Sequence, residues 1–178
     1  MSYEIKPGIS VKSWFLTYAD EFYILTRFSY YSFLQDMAFL NSHHTIEYYL
    51  KAGLAEKLSL QELKSMGHNL IKLWNRNKKY YNLDKSFEKH IFYYNRFEEL
   101  RYPRSDSFTK ILWGMSLNEF FRRFETAELQ KRVACFFIDD FDELISNIRK
   151  KICSSQPIMN VSKEQKFYIY KDNTFFKR

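Results

Sequence analysis

Apolar residues recur at helical spacing along most of the chain. Val11, Trp14, Phe15, Tyr18, Phe22 and Leu25 mark one face over residues 10–29, and Ser10, just after Pro7-Gly8, is placed to cap it. The stripe resumes through Phe33, Leu34, Met37, Leu40, His44, Tyr48, Leu50, Leu54 and Leu58, as one bent helix or two, with Asn41-Ser42 its weakest point. Ser59-Leu-Gln-Glu62 is a capping box, in which the serine hydroxyl accepts a free N–H and the glutamate reaches back. It opens a short helix whose apolar side is Leu60, Leu63, Leu70, Leu73 and Trp74, and Gly67 within it is expected to let another helix approach closely. Asn75 to Asn82 reads as a basic loop, and Asp84 caps a helix over 85–100 with Phe87, Ile91, Tyr94, Phe97 and Leu100 in line. Tyr102-Pro103 ends it, because the residue before proline avoids helical geometry. After an irregular crossing at 103–115, a second capping box, Ser116-Leu-Asn-Glu119, starts a long helical pattern reaching Cys153. Beyond Pro157, Phe167-Tyr-Ile-Tyr170 fits a short strand or a docking arm. The sum is an all-α, antiparallel bundle of four or five helices over residues 1–153, with a C-terminal extension over 154–178.

Composition agrees with that class. The 178 residues are 46% hydrophobic with only 4 Gly and 3 Pro, too few breakers for a disordered or turn-rich all-β chain. The cysteines, Cys135 and Cys153, make no disulfide framework, and Cys135 lies on an apolar stripe where packing outweighs nucleophilic chemistry. No secretory signal opens the sequence, and its richest apolar run, Val133-Ala-Cys-Phe-Phe-Ile138, stops at Asp139-Asp140. The expectation is a reducing, cytoplasmic setting with no membrane span.

Charge changes the picture more. Residues 1–71 carry 6 basic and 7 acidic side chains, residues 72–110 carry 10 and 5, and residues 111–178 carry 12 and 9. The basic middle segment also holds Trp74, Tyr80, Tyr81, Phe92, Tyr93, Tyr94, Phe97 and Tyr102. Cations that attract phosphates beside rings that stack on bases suit a nucleotide or single-stranded RNA, whereas amphipathic helices produce the same mixture through packing alone. The aromatics Tyr23, Phe28, Tyr30 and Tyr31 exceed what one helix buries on one face and point to a partner surface.

Motif chemistry is sparse. There is no Glu-x-x-His pair, no His-Glu-x-x-His, no zinc-type cysteine pair and no Gly-rich phosphate loop. His43 and Glu47 share a helix face, but such a pair is usually an exposed i,i+4 contact, so neither a metal nor a cofactor is expected.

Three segments in order resemble the HEPN family of small helical bundles: Ile46-Glu-Tyr-Tyr-Leu-Lys-Ala-Gly-Leu54, Gly67-His68-Asn69-Leu70 followed by Leu73, and Leu100-Arg101-Tyr102-Pro103. The likeness spans roughly residues 30–150. It implies an antiparallel four-helix core, often a homodimer, associated with nucleotide or RNA, and in two-protein systems a nucleotidyltransferase-like protein partner. Many members are ribonucleases that use an Arg-x4–6-His motif on a late helix, where the two side chains act on the ribose 2′-OH and the phosphorane. This chain departs there: Arg96 sits about where that arginine would, yet no histidine follows His90. The expectation is therefore a non-catalytic, phosphate-binding accessory protein. The alternatives are a ribonuclease using Arg96, Arg101 and His68 or His90, and a pure protein-interaction module.

The candidate ligand-binding residues are Lys51, His68, Arg96, Arg101, Tyr102 and Arg104. His68 either touches a phosphate or base, or caps and packs beside Gly67. Arg101 and Arg104 either clamp a phosphate with their planar forks or pair with Glu98, Glu99 or Asp106. Lys51 is either a cleft cation or a stem covering the bundle, and Tyr102 is expected half-buried against the long helix.

Overall fold

Helices α1 (Val11–Tyr31) and α2 (Gln35–Leu54) form an antiparallel hairpin that is the largest helix contact among the described residues. The structure, a computed structural model, describes residues 10–96, 110–113, 115–124, 126, 133–152 and 162–176. Ser10 caps α1 by accepting the Ser13 N–H at 3.1 Å. The break between the helices falls at Ser32–Leu34, not at Asn41-Ser42, which lie buried inside α2. There the Phe33 N–H donates to the Tyr30 carbonyl and the Leu34 N–H to that of Ser29, with Phe33 at φ 59°. Those two bonds are the left-handed helix ending that normally uses glycine.

The capping box at Ser59 is present with both of its bonds and starts α3 (Leu60–Ser65). Gly67, at φ 59°, then ends it, and α4 (Leu70–Asn77) begins on an Asn69 cap. A Cβ on Gly67 would meet nothing within 4 Å, so this glycine serves a left-handed backbone, not the close helix approach expected of it. That approach belongs to Gly53, where a Cβ would collide with the Asn77 amide oxygen and lie 2.8 Å from Ile152 Cδ1.

Asp84 caps a 3-10 turn, Lys85–Phe87, that leads into α5 (Glu88–Tyr94); residues 97–100 of the expected helix lie outside the described residues. Strand β1 (Lys110–Trp113) pairs in parallel with β2 (Val133–Phe136), Lys110 opposite Val133 and Trp113 opposite Phe136. The long helix expected over 116–153 is thus α6 (Leu117–Arg123), the strand β2, and α7 (Ile138–Ile152). Residues 167–170 end a capped helix, α8 (Lys163–Tyr170), in contact with α1, and not a strand. The fold is an all-α bundle, with this single ladder as its only sheet among the described residues. No helix among them is long and apolar enough to cross a membrane.

The core is aromatic, with Phe39, Tyr93, Tyr94, Phe120, Phe136 and Phe141 buried and in ring contact with one another. Two ion pairs cross it. Arg27 of α1 pairs with Asp142 of α7, and Asp20 of α1 with Arg149 of α7, each carboxylate also accepting from a tyrosine hydroxyl, Tyr23 and Tyr49 respectively. Charges seven residues apart on each helix are matched in reverse order, which sets α1 and α7 antiparallel and fixes their register. Arg27 also donates to the carbonyls of Tyr168 and Lys171, tying α8 to this cluster.

Candidate functional site

Positions 43, 44 and 51 of α2 each lie three or four residues from position 47, so their side chains flank it on one side of the helix. The side chain at the centre, Glu47, is 2% exposed, and a buried carboxylate is stable only when surrounded by donors. Lys51 supplies one, its Nζ 2.5 Å from Glu47 Oε1. The other oxygen, Oε2, faces three imidazoles: His68 Nδ1 at 2.9 Å, His44 Nδ1 at 3.5 Å and His43 Nε2 at 3.6 Å. His43 is fully buried, and its other nitrogen, Nδ1, lies 2.9 Å from the Tyr94 carbonyl of α5. His68 reaches the cluster from the α3–α4 connection, directly after the left-handed turn at Gly67 and before the Asn69 cap of α4.

Burial alone would raise the Glu47 pKa. The His68 hydrogen bond, the His43 and His44 rings beside it and the charge of Lys51 more than reverse this and hold the carboxyl well below the usual range. Burial lowers His43, favouring its neutral form. His43, Glu47 and His68 each direct one ligating atom into a common space, all three within 4.8 Å of one another. The expected exposed i,i+4 pair is therefore a buried one, and a third ligating group from a different element joins it.

A second feature lies where α4, α5 and α6 meet. It is a groove of about 560 Å³ lined by Ile71, Trp74, Asn75, Glu88, Lys89, Ile91, Phe92 and Phe121. Phe92 is 65% exposed, and the Lys89 ammonium stands 6.0 Å from the Phe121 ring centroid. Between residues 72 and 96 the sequence has seven cations (Lys72, Arg76, Lys78, Lys79, Lys85, Lys89, Arg96) against Asp84 and Glu88. Lys78 is engaged by Glu88.

Of the candidate residues read from the sequence, the structure brings Lys51 and His68 together, on Glu47. Arg96 follows α5 with its guanidinium 5.9 Å over the Tyr93 ring. Arg101, Tyr102 and Arg104 lie outside the described residues. His90 is in ring contact with Phe87, and burial lowers its pKa. The sequence reading pairs Glu47 with His43 only as an exposed contact, and it misses Glu47 as a buried centre, His44 beside it and the Tyr94 carbonyl on His43. The signal was available for the first, since His43, Glu47 and Lys51 form an i, i+4, i+8 ladder on one helix. Neither a family model, nor a curated protein, nor a solved structure matches this chain.

Proposed function

We propose that this protein is a non-catalytic, HEPN-like helical module that binds single-stranded RNA or a nucleotide through its basic α4–α5 face. The observation that carries the reading is the groove there, in which the exposed Phe92 and the part-buried Phe121 offer ring surface over a floor that includes the buried Trp74, and Lys89 stands at hand for a phosphate. Base stacking on an aromatic is worth about 1–3 kcal/mol, and a surplus of cations supplies the sequence-independent attraction. An accessory place beside a nucleotidyltransferase-like partner follows only from the HEPN-like resemblance.

The test is a fluorescence-anisotropy titration of labelled single-stranded RNA, with ATP as competitor, at two salt concentrations. Saturable binding that weakens steeply with salt is expected, with intact RNA recovered. Phe92→Ala and Lys89→Gln should each weaken it by roughly tenfold. Absence of binding, or binding indifferent to both substitutions, would overturn the proposal, and cleavage would favour the ribonuclease alternative.

A specific observation also favours a protein-binding role. At the α1–α2 turn Phe28, Phe33, Leu34 and Met37 are all exposed, Phe33 to 81%. We assign self-association to this apolar tip. Light scattering should give a dimer mass that Phe33→Glu converts to a monomer mass; a monomer in both removes the homodimer from the proposal.

A further inference from the structure

We infer that His43 Nε2, Glu47 Oε2 and His68 Nδ1 form a binding site for one divalent transition-metal ion, with zinc or cobalt the best-suited class. The site is separate from the α4–α5 groove, and the inference does not depend on RNA binding.

Spacing is the first reason. Ligands about 2.0–2.1 Å from a tetrahedral zinc ion stand about 3.3–3.4 Å from one another. The separations from Glu47 Oε2 are 3.6 Å to His43 Nε2 and 2.9 Å to His68 Nδ1, which bracket that value. The third separation, His43 to His68, is within 4.8 Å, and the half-exposed His68 ring is the ligand with room to move to close it.

The second reason is the set of lone pairs. The Tyr94 carbonyl only accepts, so the His43 Nδ1 that faces it at 2.9 Å carries the proton. The Nε2 of the neutral ring then presents a lone pair toward the Glu47 carboxylate, and a cation between two such acceptors turns a repulsive approach into a coordinated one. A backbone carbonyl that fixes the tautomer of a ligating histidine is a common supporting arrangement in metal sites. Lys51 engages Oε1 and leaves Oε2 for the metal. His68 Nδ1 donates to Oε2 without the ion; on ligation its proton moves to Nε2 and the freed lone pair binds. Two imidazoles and one carboxylate make a mixed nitrogen–oxygen set of the kind that suits zinc, and three protein ligands leave the fourth position to water.

The experiment uses the full, untagged chain stripped with a chelator and titrated with Co2+, followed by its visible ligand-field absorption, and with Zn2+ by calorimetry. One ion per chain is expected, with the intense visible band of tetrahedral cobalt. His68→Ala, at an exposed position where folding is spared, should weaken binding at least tenfold, while His90→Ala should leave it unchanged. Glu47→Gln should abolish the band; its helical circular dichroism shows whether the fold survives. Absence of a saturable one-to-one signal in the parent chain, or an unchanged affinity in His68→Ala, would overturn the inference.

Discussion

Phe33 is a bulky residue in a position made for glycine. Its φ of 59° places Cβ against the following carbonyl, a cost of about 1 kcal/mol for an L-residue, and its ring is 81% exposed, so little burial offsets that cost. Phe33→Gly is therefore expected to stabilise the monomer by about 0.5–1 kcal/mol, read as a higher urea midpoint at unchanged slope. Phe33→Ala keeps the strained backbone and should show no gain. A loss of stability in Phe33→Gly would mean that the ring is covered in solution. Retention of a strained, exposed aromatic ring is physically reasonable where the ring has a partner, as proposed for the tip.

Glycines 53 and 67 show how element ends and element crossings depend on different information. Gly67→Ala meets no steric obstacle yet must adopt φ 59°, so it should cost about 1 kcal/mol in chemical unfolding. Gly53→Ala puts a methyl group into Asn77 and Ile152, where the Asn77 amide is already bound to the Leu50 carbonyl, and should cost more, about 1–3 kcal/mol. Equal losses for the two would contradict this separation. The same distinction explains what could be read from the residues alone. The caps at Ser10, Ser59, Asp84 and Ser116 are local, each a hydroxyl or carboxylate two or three residues from the N–H it accepts, and their positions are visible in the sequence. The β1–β2 ladder joins four-residue strands about twenty positions apart. A short apolar run such as 133–136 fits a buried strand as well as a helix, and no local signal separates them. The cluster around Glu47 was equally hidden, because His68, and the Tyr94 carbonyl that holds His43, arrive from later elements, whereas the spacing of His43, Glu47 and Lys51 on one helix was in plain view.

At the scale of the whole molecule, the reciprocal ion pairs between α1 and α7 have no signature in the sequence, since their partners are 115 and 129 positions apart. They make the assembly of the bundle depend on pH. Burial pushes the Asp142 carboxyl up to about 6, against the opposing pull of Arg27 and the Tyr23 hydroxyl. Between its unfolded value of about 3.9 and this folded value, the native protein holds a proton that the unfolded chain has released. Stability from this group is therefore complete below about pH 4 and lost as pH rises through about 6, by on the order of 3 kcal/mol. Glu47 acts in the opposite sense and over a lower range: its depressed pKa contributes stability above about pH 4.5 that is lost on acidification. Comparing the parent chain with Asp142→Asn in urea at pH 4.5, 5.5 and 7 isolates the first effect, because Glu47 is common to both. Asp142→Asn substitutes a neutral group of the same shape that cannot titrate, so the parent's stability relative to it should fall by about 2 kcal/mol between pH 4.5 and 7. Because Arg27 also holds the Tyr168 and Lys171 carbonyls, the same substitution should loosen α8, seen as faster amide exchange there than in α2. A difference independent of pH would show that Asp142 is ionised throughout, with Arg27 outweighing its burial.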